Sequence, residues 1–511
     1  RVKMISFLHS SAVNGINAYL IDVEADISSG LPVFSIVGLP DTAVKESRDR
    51  VVSAIKNSGF DFPAKKITVN LAPADIKKEG GLFDLPIALG ILVSSGYIEK
   101  KSVQKICAIG ELSLDGKLRP VKGLLPIVLS LKKFGIKKVI IPEGNKNEAS
   151  VANDIEIYPF ANLAETVKFL KNEIKVFPFT GSCESDENQN TAPTVDFADI
   201  KGQFLAKRAA EVASAGGHNM IMIGPPGSGK TMIAKRIPTI LPPMSFEESV
   251  ETTKIWSVSG LIQAGESLVK QRPFRSPHHT TSSIALIGGG SYPKPGEVSL
   301  AHNGVLFLDE LTEFRRDVLE VLRQPLEDKI VTVSRAKNTL SFPASFMLIA
   351  SMNPCQCGHY GDVNKECTCN QYQITKYRSK ISGPLMDRID IQIEVPALKI
   401  DEITTDKQPV SETSHEIKQR VIKARNIQYE RFKNTKIYCN AQMGPKEIKK
   451  YCILDDKAKE LLKNAIEKLG FSARAYDRIL KVARTIADLA DSPDILPVHI
   501  AEAVKYRSLD K

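Results

Sequence analysis

The segment Gly224-Pro225-Pro226-Gly227-Ser228-Gly229-Lys230-Thr231 constrains this chain more than any other stretch of it. It follows the short apolar run 219–223 and opens a stretch of helical composition. Strand, glycine-rich loop and helix therefore stand in the order a phosphate-binding loop requires. Gly224, Gly227 and Gly229 let backbone N–H groups wrap phosphate oxygens, and the helix N-terminus adds partial positive charge. Lys230 reaches the β- and γ-phosphates, and the Thr231 hydroxyl suits Mg²⁺. The expected ligand is ATP with Mg²⁺, on an α/β sheet.

Later segments supply what a hydrolytic site needs beyond phosphate binding. The apolar run 304–308 reads as a buried strand ending in Asp309-Glu310, at the strand end where α/β sheets bind ligands. Asp309 would hold Mg²⁺, and Glu310 would orient and deprotonate the attacking water. The run 346–350 delivers Asn353, a polar residue able to contact the γ-phosphate or hold the water. Arg388 stands in a short polar turn; it either reaches a neighbouring subunit's γ-phosphate or pairs locally with Asp387 or Asp390. Arg474, at a helix start, is placed to fold over the nucleotide, and Gln203 is placed near the adenine.

With 511 residues, the chain exceeds what one hydrophobic core organises, so about two to four domains are expected. Residues 1–177 mix short β-branched runs (67–71, 105–109, 138–141) with helical ones (84–93, 124–134), as a small α/β domain does. Residues 178–196 form an acidic, polar linker, and 176–200 contain no Lys or Arg. The block 197–395 alternates strand and helix around the phosphate loop. Residues 396–511 read as helical, clearest at 458–469 and 474–489. The net charge of +10 favours an acidic partner such as nucleic acid, with a merely soluble basic surface as the alternative. No apolar run approaches the ~20 residues of a membrane span, and no targeting segment is visible, so a cytoplasmic protein is expected.

Eight cysteines in so long a chain do not read as a disulfide framework. Four of them, Cys355, Cys357, Cys367 and Cys369, form two C-x-C pairs joined by a short polar loop. Four thiolates suit tetrahedral Zn²⁺, and unligated or redox-active thiols are the alternative.

The order of these motifs, with Arg272-Pro273-Phe274-Arg275-Ser276-Pro277-His278-His279 between the phosphate loop and Asp309-Glu310, resembles the magnesium-chelatase-like AAA+ ATPases, and among them the ComM/YifB family. The resemblance covers nearly the whole chain. It implies a central AAA+ core, a C-terminal helical lid and a ring-shaped homohexamer. It further implies a DNA helicase or translocase that drives branch migration of recombination intermediates in natural transformation. It makes Asn353 the first sensor, Arg388 the trans-acting arginine finger and Arg474 the second sensor. Two insertions are then candidate DNA contacts that track phosphates without reading sequence. One, 272–297, carries Arg275, His278, His279 and Lys294. The other, 330–342, alternates as a hairpin with Arg335 and Lys337 near its tip. His278-His279 as a metal pair lacks a third ligand nearby. A metal-insertion motor of the chelatase type is the alternative function.

The N-terminal block has its own resemblance. Residues 110–124 and 134–142 look like the proteolytic domain of Lon proteases, which implies a ribosomal-S5-like α/β fold. Such peptidases use a Ser–Lys pair. Asp84 or its neighbours stand at the serine's expected position, and Leu125 at the lysine's. A peptidase-inactive domain is expected, and an ATP-dependent protease is disfavoured.

Overall fold

The structure, a computed structural model, describes residues 5–75, 78, 80–181, 195–263, 265–290, 293–334, 339–362, 365–397, 411–435 and 437–507. The linker expected at 178–196 lies largely outside them. The chain divides into two compact units, the first made of residues 1–190 with 249–269, the second of 191–248 with 270–511.

The first unit is built on a mixed seven-stranded sheet. Its order is Val33–Val37, Lys66–Ala72, Asn17–Ser28, Ile5–Asn14, Ile106–Ala108, Lys138–Pro142, Glu156–Phe160. The long hairpin of Ile5–Asn14 and Asn17–Ser28 is antiparallel, whereas the pairs from Ile5–Asn14 to Glu156–Phe160 are parallel. The helix Asp84–Ser94 is buried along its whole length, which explains why its sequence is almost uniformly apolar instead of amphipathic. The strands and helices expected at 67–71, 105–109, 138–141, 84–93 and 124–134 are all present.

Segment 249–269 corrects the contiguous boundaries drawn from sequence. It belongs to this first unit although the chain reaches it only after the phosphate loop. Ser257 donates its hydroxyl to the buried carboxylate of Glu148, and Gly123 N–H donates to Ser257 O at 3.0 Å. Asn147 Nδ2 donates to Gly265 O at 2.9 Å.

The second unit holds a five-stranded, wholly parallel sheet in the order Phe274–Arg275, Val305–Leu308, Met347–Met352, Met220–Ile223, Ile391–Glu394. Strands buried on both faces become continuous apolar runs, as in Met220–Ile223 and Val305–Leu308. The C-terminal helices Ser414–Arg431, Asp456–Leu469, Ala473–Leu489 and Pro497–Lys505 follow. They share one hydrophobic core with the sheet: Val421, Leu462, Ile486 and Ile500 are clustered with Met222, Ile237 and Phe307. The helical lid is therefore a subdomain packed on the ATPase core and not a unit of its own. Among the described residues no helix is long and apolar enough to cross a membrane.

Candidate active site

The parallel sheet sets the site's order. Met347–Met352 lies between Met220–Ile223 and Val305–Leu308, so the residues leaving these three strands meet at one edge. They are the phosphate loop, Asn353 and Asp309-Glu310. Register fixes them closely, with Ile223 opposite Met352 and Leu308 opposite Ala350. Gly224 N–H donates to Met352 O at 3.2 Å, which locks the start of the loop to the strand that carries Asn353.

The loop itself is a cradle. Gly227 and Gly229 have φ of +77° and +91°, and a Cβ at either would meet nothing within 4 Å. The first property calls for glycine; the second leaves the backbone open to a ligand. At Gly224 the reason is crowding, because a Cβ would sit 2.1 Å from Val395 O. Lys230, at the start of helix Lys230–Ile240, folds its ammonium back onto Gly224 O (2.7 Å) and Pro225 O (2.8 Å), with Ser228 Oγ at 3.4 Å. Burial pushes its pKa down to about 8, partly offset by the charges of Asp309 and Glu310.

Thr231 Oγ1 donates to Asp309 Oδ2 at 2.8 Å. The hydroxyl and carboxylate that would share a Mg²⁺ are thus already in contact, and oxygen donors of this kind suit that ion. Ser351 donates its hydroxyl to the other carboxylate oxygen, Asp309 Oδ1. The sequence gives no sign of this role for Ser351, which arises from strand register. Glu310 sits at φ 54°. This left-handed conformation costs a non-glycine residue about 1–2 kcal/mol. Its N–H reaches Asp309 Oδ1 at 3.1 Å and Ser351 Oγ at 3.4 Å, and its carboxylate is exposed beside the cradle.

Several candidates have other surroundings than expected. Gln203 lies against the phosphate loop, where its Nε2 bridges Ser228 O (3.2 Å) and Pro396 O (2.7 Å). Arg275 is not a free basic contact: it forms a two-pronged ion pair with Glu297 at 2.6 and 2.8 Å. His279 joins the hydrolytic edge, with Nδ1 3.7 Å from Glu310 Oε2 and its ring 4.1 Å from that of His278. His278 Nδ1 lies 2.9 Å from Thr280 Oγ1. Lys294 is exposed on the small hairpin formed by Gly288–Gly289 and Lys294–Pro295. The hairpin expected at 330–342 exists as Ile330–Ser334 against Thr339–Pro343, while Arg335 and Lys337 lie outside the described residues.

Arg388 stands at the opposite edge of the sheet, just before strand Ile391–Glu394. Asn219, just before the strand leading into the phosphate loop, donates its side-chain amide to Arg388 O at 3.0 Å, and its N–H to Asp390 Oδ2 at 3.1 Å. Burial would raise Asp390, but Arg478 and His218 hold it well below the usual carboxylate range. Arg388 itself is 7% exposed and pairs with Glu327 and Pro384 O. Arg474 has Nη1 3.9 Å from Asp387 Oδ2. Ser472, Phe471 and Asp387 line a cleft of about 420 Å³ with Ile223 and Met352, so the Arg474 guanidinium beside Asp387 stands at this cleft. Sequence reasoning misses Arg478, one turn further along the same helix; its spacing of four from Arg474 places both on one face.

The four cysteines do come together, their sulfurs all within 4.8 Å of one another. The backbone N–H of His359 draws the Cys357 thiol down to about 5, whereas Cys367 and Cys369, despite a backbone hydrogen bond to each, are raised by burial and the neighbouring sulfurs.

At the Lon-type positions, Asp84 is fully buried and held by Arg50, with Nε to Oδ2 at 2.8 Å and Nη2 to Oδ1 at 3.1 Å. Burial raises Asp84 to about 6 against the pull of Arg50. Leu125 is buried and gives only its backbone N–H, to Glu148 Oε1 at 3.0 Å. An ion pair and an apolar side chain thus stand at the two positions expected from the resemblance.

The family models that match are "Magnesium chelatase, subunit ChlI" over residues 196–403, "Subunit ChlI of Mg-chelatase" over 23–145 and "Magnesium chelatase, subunit ChlI C-terminal" over 411–507. The chain is 46% identical over 510 residues to the competence protein ComM of Haemophilus influenzae, covering 99% of this chain and 98% of that protein. It is 42% identical over 507 residues to the uncharacterized protein YifB of Escherichia coli, covering 99% and 98%. A shorter match, 26% identical over 200 residues, links 37% of this chain to 24% of a Lon protease of Brucella abortus.

Proposed function

The chain belongs to the ComM/YifB family of magnesium-chelatase-like AAA+ ATPases, and we propose that it is an ATP-driven DNA motor working as a homohexamer on branched recombination intermediates. The observation that carries this reading is the separation of Arg388 from its own phosphate loop. Strands Met220–Ile223 and Ile391–Glu394 run parallel, with the phosphate loop after the first and Arg388 before the second. At ~3.3 Å per residue, a strand of this length puts about 13 Å between the two sheet edges. An arginine so placed serves a neighbour's nucleotide, with Arg478 beside it, once it leaves Glu327.

Within one site, Lys230 and the loop N–H groups hold the phosphates, and Thr231 and Asp309 hold Mg²⁺, which neutralises charge on the phosphate oxygens when bound. Glu310 takes the proton of the attacking water, and Asn353 orients that water or the γ-phosphate. His279, beside Glu310, keeps the carboxylate turned until substrate arrives. We assign Zn²⁺ to the four thiolates as a second metal.

DNA as the partner rests on the net charge of +10, the exposed Lys294 hairpin, and the name of a relative, a competence protein. The names of the matching family models favour a second reading, a motor for metal insertion. The Arg50–Asp84 pair speaks against proteolysis. Electron microscopy with forked DNA and a slowly hydrolysed ATP analogue tests the proposal: rings with duplex or single strand in the pore are expected, and monomers indifferent to both would overturn it.

A further inference from the structure

Resting on the assignment of Zn²⁺ to the cysteine cluster, we infer that this site is a metal brace for the phosphate loop. Metal occupancy would then set ATP affinity.

The sulfur separations are close to those around a tetrahedral ion, and all four sulfurs lie within 4.8 Å of one another. Cys355 Sγ lies 3.3 Å from Cys357 Sγ and 3.7 Å from Cys367 Sγ, and Cys357 Sγ lies 3.6 Å from Cys367 Sγ. Zinc–sulfur bonds of ~2.3 Å at tetrahedral angles place sulfurs about 3.8 Å apart. Backbone donors already face the sulfurs: Cys357 N–H reaches Cys369 Sγ and Tyr360 N–H reaches Cys355 Sγ, each at 3.4 Å. Such N–H···S bonds support the charged thiolates that ligation requires. Cys357, Cys367 and Cys369 are only half-buried, so little apolar packing holds the loop, and a metal supplies what a core does not.

The position of this knuckle makes it more than a local staple. Cys355 follows Asn353 by two residues, at the end of strand Met347–Met352. Gly358, at φ +87°, packs directly on the phosphate loop, where a Cβ would lie 2.9 Å from Pro226 Cδ and 3.1 Å from Pro226 Cγ. On the far side, Cys369 leads into helix Gln371–Arg378, capped by Asn370, and Arg378 Nε returns to Pro354 O at 3.2 Å. The ion thus closes a loop with Asn353 at its base and Pro226 under its tip. Both belong to segments that leave adjacent strands at the edge of the sheet carrying the phosphate loop.

The test uses full-length protein purified without added zinc. Elemental analysis and binding of a fluorescent ATP analogue with Mg²⁺ are measured on wild type, on Cys367→Ser/Cys369→Ser and on Gly358→Ala. Wild type is expected to carry about one zinc per chain. The double variant should lose the zinc and bind the analogue ~10-fold or more weakly, in the range of support-shell losses. Gly358→Ala should keep its zinc and still bind weakly, a result that a purely structural metal would not give. Chelator removal and return of zinc on wild type gives the same readout without substitution, should the double variant fail to fold. Zinc-free wild type, or affinity unchanged on zinc removal, overturns the brace alone. Zinc-bearing wild type that binds no analogue sinks the ATPase reading and the brace with it.

Discussion

Thr231 and Asp309 are 78 residues apart in sequence and share a hydrogen bond of 2.8 Å at the edge of the parallel sheet. The contact joins the phosphate loop to the acidic strand end. It leaves Glu310 exposed next to the cradle, and binding and hydrolysis can be separated by experiment. Lys230→Ala should lose nucleotide affinity and hydrolysis together. Glu310→Gln should keep affinity while turnover falls by ~10²–10⁴, the usual weight of a positioned base. Equilibrium binding beside steady-state ATPase assays checks both, and a Glu310→Gln protein with wild-type turnover would refute the assignment.

The depressed Lys230 makes nucleotide binding proton-linked. Its pKa is about 8, because burial disfavours the charged form. Phosphate oxygens stabilise the charged form and raise that value. Above pH 8, binding must therefore take up a proton, and affinity should weaken as pH rises from about 7 to about 9.5. Calorimetry in two buffers of different ionisation enthalpy measures the uptake. Zero uptake at about pH 8.5 would contradict the burial argument.

Placement of Arg388 at the far sheet edge predicts complementation. Arg388→Ala and Lys230→Ala should each be inactive alone, with arginine loss costing ~10³ or more in rate. Mixed and reassembled, they should recover measurable ATPase activity, since an intact Lys230 can then face an intact Arg388 across an interface. Mixtures as inactive as either parent at every ratio would place both residues in one chain's site.

In the first unit, Arg50 is the ionic partner of the fully buried Asp84. Removing one member of a buried pair costs about 3–5 kcal/mol, whereas replacing both by apolar residues costs less. Arg50→Ala should therefore destabilise this unit more than Arg50→Met/Asp84→Leu does, measured by chemical unfolding. Equal losses would show that Asp84 does not depend on its partner for charge compensation.

The phosphate loop, Asp309-Glu310 and Asn353 are legible because each is a local pattern: an apolar run of strand length followed by the chemistry it delivers. Parallel register does the rest, so adjacent strands bring them together without further information. What escapes the sequence depends on partners far along the chain. Arg275 looks like a free basic contact until Glu297, 22 residues later, is seen to neutralise it. Segment 249–269 follows the phosphate-loop helix in sequence, and only Ser257 on Glu148 and Asn147 on Gly265 reveal that it folds with the first unit. Ser351 is hidden for a simpler reason: a serine inside an apolar strand gives no signal until its carboxylate partner is known.

The central claim, that ATP hydrolysis at Lys230 and Glu310 drives movement on DNA, is tested most directly by the steady-state ATPase rate with and without forked DNA. A several-fold rise with DNA, on the order of ten, is expected, weakening as salt rises because the contacts are to phosphates, with no rise in Glu310→Gln. An ATPase rate identical with and without DNA across low and moderate salt would contradict it.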